Sequence, residues 1–168
     1  MFTYVENILS DSVIAHLCER YAKLNATDNS SYDVWPLEMT ASKTLKECFS
    51  ETLQPSDKVL VATDLYSNSK LPFFENSKIK FAQMAVQKIP PGGYIPNHPD
   101  TCTASLTIFL NEVEGGEFVW YNEGQGTSIT PKFNSGVYAF FEDRVIGLEH
   151  CVNVVKGDKN RYTLQMFI

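Results

Sequence analysis

From residue 78 onward the apolar positions come in short runs broken by Gly, Pro and Asn. The runs Ile79–Ile89, Ser105–Asn111, Glu117–Tyr121, Ser128–Thr130, Val137–Phe141, Val145–Val155 and Arg161–Ile168 each suit a strand. Between them lie Pro-Pro-Gly-Gly, Glu-Gly-Gly, Asn-Glu-Gly-Gln-Gly, Asn-Ser-Gly and Lys-Gly-Asp-Lys-Asn, all turn formers. Many short strands at this spacing predict a β-sandwich, jelly roll or barrel. The first part of the chain reads differently. Ser10 suits an N-cap, Asp11 suits a first turn, and Ile14, Leu17, Cys18 and Tyr21 recur at helical spacing. A second helix is expected over Thr40–Thr52, with Ala41, Leu45, Cys48 and Phe49 inward and Pro55 beyond its end. Lys58–Tyr66 contains Val-Leu-Val-Ala-Thr and reads as a strand, and Ser67–Ser77 as a polar loop that could form a lid. The expected organisation is one domain over 1–168, with a helical part (1–77) packed on one sheet of a β core (78–168).

Composition narrows the function classes. A chain of 168 residues is the size of one domain with a full core. The net charge of −6, without any run of Lys and Arg, argues against a nucleic-acid binder. No apolar run reaches the roughly 20 residues of a membrane span. The start, Met-Phe-Thr-Tyr-Val-Glu, lacks the basic, apolar pattern of a signal peptide. Cys18, Cys48, Cys102 and Cys151 are far apart and are expected to be reduced thiols. A cytoplasmic location is therefore the expectation. Nothing in the pattern specifies an oligomeric state.

Candidate chemistry gathers around two histidines and an arginine. His98 and Asp100, in Asn-His-Pro-Asp, are two apart and point the same way on an extended chain. His150, in Glu-His-Cys, can add a third ligand from a distant strand. Two imidazoles and one carboxylate on one face of a metal make the facial triad of non-haem iron(II) oxygenases. Arg161 and Thr163 share one side of the last strand, where a guanidinium beside a hydroxyl suits a carboxylate. Other readings stay open. His98 with Asp100 alone could be a turn, and His98, Cys102 and His150 could hold zinc. His16 lies off the apolar face of its helix and is expected in solvent.

The order of these pieces resembles a known family. Tyr94-Ile-Pro-Asn-His-Pro-Asp100, Leu106-Thr-Ile-Phe-Leu-Asn111, Gly115-Gly-Glu-Phe118 and Ile129-Thr-Pro131 follow one another. Gly136, Glu149-His150, Gly157 and Arg161-Tyr-Thr163 complete the set. From about Phe81 to the end, the chain resembles the 2-oxoglutarate- and iron(II)-dependent oxygenases, within them the prolyl 4-hydroxylase-like branch. Phe2–Ser10 looks like the short strand and helix start that often open this branch.

The resemblance implies a double-stranded β-helix, a jelly roll whose mouth holds iron. It implies His98, Asp100 and His150 as ligands to Fe(II), with no catalytic residue beyond them. It implies Arg161 for the far carboxylate of 2-oxoglutarate, with Thr163 at the hydroxyl position of the clamp. Ascorbate is an optional reductant. The implied activity is hydroxylation of a C–H bond with O2, releasing succinate and carbon dioxide; a carboxylate ligand favours hydroxylation over halogenation. A peptidyl proline is the implied substrate, with a free amino acid or other small molecule as competitor. Two departures stand out: Phe109 and Ile89 occupy places where the family often has tyrosine, so Thr163 or Thr107 is expected to compensate. Gly115-Gly116 is read as a turn. The alternative reading is a non-catalytic or zinc-binding, cupin-like jelly-roll module.

Overall fold

A strand in the middle of a sheet buries both faces, and the last strand of this chain is of that kind. A computed structural model describes residues 2–22, 33–34, 49–67, 71, 83–100, 102–140 and 149–168. In it, β11 (Arg161–Phe167) runs antiparallel between β6 (Ala104–Phe109) and β4 (Gln83–Ile89). The sheet continues through β9 (Ser135–Phe140) to β1 (Phe2–Glu6) on one side, and through β3 (Phe49–Thr52) to β2 (Asp33–Val34) on the other. Its seven strands run in the order β1-β9-β6-β11-β4-β3-β2. A second antiparallel sheet has the order β5-β10-β7-β8. It is built from Ile95–His98 (β5), Phe118–Asn122 (β7), Gln125–Ile129 (β8) and His150–Val152 (β10). The architecture is mainly β, a double-stranded β-helix.

Period-2 alternation gives the large sheet two chemically different faces. Met84, Val86, Leu106, Ile108, Tyr162, Leu164 and Met166 point outward into one apolar cluster. The same cluster takes Val13, Ile14, Leu17 and Tyr21 of α1 (Asp11–Tyr21), and Val61 and Leu65 of α2 (Pro55–Ser67). The alternate residues point inward between the sheets. These are Arg161, Thr163 and Gln165 on β11, Thr107 and Phe109 on β6, and Gln87 and Ile89 on β4. The inner space is flanked by an aromatic cluster (Phe2, Phe109, Phe118, Trp120 with Val137 and Ala139) and an aliphatic one (Ile89, Ile95, Val152, Val155).

The helices are locked to each other by one buried acid. Asp57, in the first turn of α2, accepts a hydrogen bond from the Tyr21 hydroxyl. His16 Nε2 lies 2.8 Å from its Oδ1, and Arg20 Nη1 lies 3.3 Å from its Oδ2. Burial pushes the Asp57 carboxyl up, but the Tyr21 and His16 hydrogen bonds and the Arg20 charge outweigh it and hold the group below its ordinary value. Burial, then the bond to Asp57, pushes the Tyr21 hydroxyl up to about 12.

Several sequence expectations need correction. Lys58–Tyr66 is not a strand but the body of α2. Pro55 stands at the first helical position, and the Asp57 and Lys58 amides both donate to the Gln54 carbonyl, at 3.0 Å each. Once started, Val61 and Leu65 meet the core one turn apart. The helix expected over Thr40–Thr52 falls mostly on residues outside the described ones, and its end, Phe49–Thr52, is β3. Ser10 is the N-cap of α1 as expected, its carbonyl accepting from the Ile14 amide at 3.1 Å, but its hydroxyl makes no capping bond, and its amide donates to Asp64 Oδ2 at 2.7 Å. His16 is half-exposed, yet Asp57 recruits it. The first 77 residues are not purely helical, since β1, β2 and β3 extend the large sheet. Most of Ser67–Ser77, the expected lid, lies outside the described residues, although Leu71 is buried. No described helix is long and apolar enough to cross a membrane.

Candidate functional site

Strand pairing brings the two histidines together. β5 ends at His98 and β10 begins at His150, and these two are direct partners across the antiparallel pair. Their rings lie 4.4 Å apart, centre to centre. Asp100 follows two residues after His98 and turns back toward both. Its Oδ1 lies 3.8 Å from His98 Nε2, and its Oδ2 lies 3.4 Å from His150 Nε2. One ligand-type atom from each of the three lies within 4.8 Å of the others.

The surrounding contacts suit metal binding. His98 Nδ1 lies 2.8 Å from the Pro96 carbonyl oxygen, which can only accept. Nδ1 therefore carries the proton, and Nε2 keeps its lone pair toward the group. The Phe118 ring stacks on His150 at 5.2 Å and 18°, and Phe2 meets it edge-on at 5.3 Å. The two aromatic side chains fix the ring plane and shield it from water. Outside the group, Asn97 Nδ2 donates to Glu149 Oε2 at 2.7 Å, tying together the residues that precede each histidine. Side-chain exposure is 6% for His150 but 17% for His98 and 15% for Asp100, so the group opens to solvent on the His98 side. Two imidazole nitrogens and a carboxylate oxygen are a donor set for a divalent first-row metal with open positions. Cys102 lies outside the three-residue group. Burial, then the Asp100 charge, pushes its thiol up to about 11.

Arg161 is fully buried at the inner start of β11. Its Nε donates to the Gly116 carbonyl at 2.9 Å, and its Cζ lies 5.3 Å from the Phe109 ring centre. Phe109 belongs to the same aromatic cluster as Phe118, which stacks on His150. Arg161 and the His-Asp-His group therefore face one interior. Thr163 is also fully buried and is the next inward residue on β11. Its hydroxyl accepts a bond from Gln165 Nε2 at 3.1 Å, whereas Thr107 Oγ1 donates to Gln165 Oε1 at 2.9 Å. Of the two hydroxyls expected to compensate for Phe109, Thr107 donates its proton to Gln165, whereas Thr163 donates to no partner among the described residues.

Sequence reasoning missed three contributors here. Gly116 read as a turn, and its φ of +65° fits one, but it also supplies the carbonyl that anchors Arg161. A backbone acceptor leaves no mark in a sequence. Phe2 sits 148 positions from the histidine it packs against. Gln165 could have been noticed, because it continues the inward row Arg161, Thr163, Gln165.

Comparison with known proteins places the fold. No family model matches the chain, and no curated protein matches by sequence. Solved structures do match. A prolyl-4-hydroxylase from Pseudomonas putida superposes with a TM-score of 0.69 at 14% identity, over 99% of this chain and 90% of that one. A Trichoplax adhaerens prolyl hydroxylase, solved with a peptide of the hypoxia-inducible factor oxygen degradation domain, gives 0.71 at 15%, over 99% and 82%. The viral collagen prolyl hydroxylase of Paramecium bursaria Chlorella virus-1, solved with 2-oxoglutarate, gives 0.64 at 17%, over 99% and 93%. The matches span nearly the whole chain, and what it shares with these enzymes is the fold, a double-stranded β-helix.

Proposed function

We propose that the chain is an iron(II)- and 2-oxoglutarate-dependent dioxygenase that hydroxylates a C–H bond and releases succinate and carbon dioxide. The observation that carries this reading is the meeting of two Nε2 atoms and a carboxylate in the interior that also receives a fully buried arginine. A metal-binding module needs the first feature but has no use for the second. A zinc-binding module also leaves Asp100 and Arg161 without a role.

Iron(II), when bound, would supply the activation of dioxygen, driven by oxidative decarboxylation of 2-oxoglutarate. The chain's own residues do the rest. His98 and His150 would offer imidazole lone pairs, and Asp100 would add a charge that offsets part of the cation's. Arg161 pairs with the far carboxylate of 2-oxoglutarate, and Thr163 donates a second hydrogen bond to it. Phe2 and Phe118 keep water away from the buried side of His150. The exposed side, at His98 and Asp100, is where substrate enters. The peptide held by the Trichoplax relative supports a peptide substrate, with peptidyl proline first and a free amino acid second.

The test begins anaerobically. Iron(II) with 2-oxoglutarate should give the purified protein a visible charge-transfer band, and air should then release succinate. A screen of peptides and amino acids should reveal products heavier by one oxygen. His150→Ala should lose the band and the succinate while keeping a β-rich fold by circular dichroism. Wild-type succinate release from that variant refutes the ligand assignment.

A further inference from the structure

The inner face of the large sheet carries a buried polar row where a protein core is usually apolar. Thr107 on β6, Thr163 and Gln165 on β11, and Gln87 on β4 lie side by side, and Thr107, Thr163 and Gln87 are each at most 5% exposed. Gln165 is the hub. Its Oε1 accepts from Thr107 Oγ1 at 2.9 Å, and its Nε2 faces Thr163 Oγ1 at 3.1 Å and Gln87 Oε1 at 3.5 Å. An amide oxygen only accepts and an amide NH2 only donates. With the oxygen occupied by Thr107, the NH2 end is turned to Thr163.

We infer that Gln165 is a positioning residue: by donating to Thr163 Oγ1, it fixes that hydroxyl as a donor to the far carboxylate of an oxo-diacid held by Arg161. This deepens the dioxygenase reading and rests on it. A hydroxyl that already accepts one bond has its own proton left to give. On β11 the next inward neighbour is the Arg161 guanidinium, two residues before. Guanidinium and hydroxyl then act together on one carboxylate. Without the amide, Thr163 can rotate to other acceptors. With a carboxylate in place of the amide, its proton is drawn to position 165 instead.

The experiment is calorimetric titration of the manganese(II)-loaded protein with 2-oxoglutarate, and separately with 2-oxobutyrate, which lacks the far carboxylate. Gln165→Leu should weaken 2-oxoglutarate by roughly fivefold, the scale of one lost hydrogen bond. It should leave 2-oxobutyrate and manganese(II) affinity unchanged. Gln165→Glu should weaken 2-oxoglutarate further. In a Thr163→Val background, Gln165→Leu should cause no additional loss, because its effect passes through the hydroxyl. Should Gln165→Leu fold poorly, Gln165→Met, similar in length, carries the same expectation. Tight 2-oxoglutarate binding by Gln165→Glu, or equal losses in the presence and absence of the Thr163 hydroxyl, overturns the inference and leaves the dioxygenase reading intact. Failure of the wild-type protein to bind 2-oxoglutarate removes that reading itself.

Discussion

Replacing Gly116 by alanine should disturb the seat of Arg161, the proposed carboxylate partner, without touching a charged group. Two effects add. At φ +65° a side chain is strained, which costs about 1–2 kcal/mol for a non-glycine residue. The new Cβ would also lie 2.9 Å from Arg161 Cδ, 3.3 Å from Val113 Cγ2 and 3.3 Å from Val155 Cγ2. Arg161 is fully buried and tethered through Nε to the same residue's carbonyl, so it cannot simply swing away. Crowding of this kind in a packed interior costs about 1–3 kcal/mol. Gly92→Ala isolates the first effect, since φ there is +84° and nothing lies within 4 Å of the added Cβ. In urea unfolding, Gly92→Ala should lose about 1–2 kcal/mol and Gly116→Ala about 2–5 kcal/mol. Titration with 2-oxoglutarate separates them further: Gly92→Ala should bind as the wild type does, and Gly116→Ala about tenfold or more weakly, because the guanidinium is displaced. Equal stability losses with equal 2-oxoglutarate affinity in the two variants refute the argument that Gly116 seats Arg161.

Three further outcomes concern the helical layer and its tie to the sheet. Asp57→Ala, which strips the acceptor from the buried Tyr21 hydroxyl, should cost about 2–3 kcal/mol in denaturant unfolding. The same carboxyl makes the fold sensitive to acid. Its folded value lies below the ordinary 3.8, so its contribution is complete above that pH and disappears as the pH falls through the lowered value. Tyr21 works in the opposite direction: with its hydroxyl pushed up from 10.0 to about 12, its contribution is complete below pH 10.0 and is lost as the pH climbs toward about 12. Melting temperature measured against pH should fall at both ends, and Asp57→Ala should flatten the acid limb. Asn134 sits at φ +57° and clasps Leu9 by both backbone groups, donating to its carbonyl at 2.8 Å and accepting from its amide at 3.0 Å. Asn134→Ala should cost about 2–4 kcal/mol by leaving two buried backbone groups unpaired, seen as a lowered urea midpoint.

What the sequence revealed follows from which signals are local. The central strands were legible because each is a short apolar run between turn formers; β6, β9 and β11 fall within a residue or two of their expected spans. β3 was not, because Phe-Ser-Glu-Thr has no pattern of its own and becomes a strand by pairing with β4. α2 misleads through Val-Leu-Val, a run that fits a strand as well as a buried helix, and Pro55, expected to lie beyond the end of one helix, begins another. At the site, the spacing of His98 and Asp100 and the identity of His150, Arg161 and Thr163 were legible because side-chain type is written in the sequence. His16 escaped because its partner is 41 positions away. Gly116 and Gln165 escaped because a carbonyl and an amide become informative only once a fold says what faces them.

The two halves of the site belong to different sheets, and this determines what can fill it. His98 and His150 stand on the small sheet, where β5 meets β10. Arg161 and Thr163 stand on the large sheet, where β11 lies between β6 and β4. Gly116, just before β7 of the small sheet, accepts from Arg161 and joins the two at their base. A ligand that uses both halves must span the space between the sheets, with metal-binding atoms at one end and an anionic group at the other. The apolar clusters on either side of that space favour a slender carbon chain between its polar ends. An oxo-diacid meets all three demands, whereas a simple oxo acid lacks the second and gives the buried guanidinium no counter-charge. Under the proposed dioxygenase reading, the cosubstrate would be selected by its second charged end, through residues other than the three proposed metal ligands.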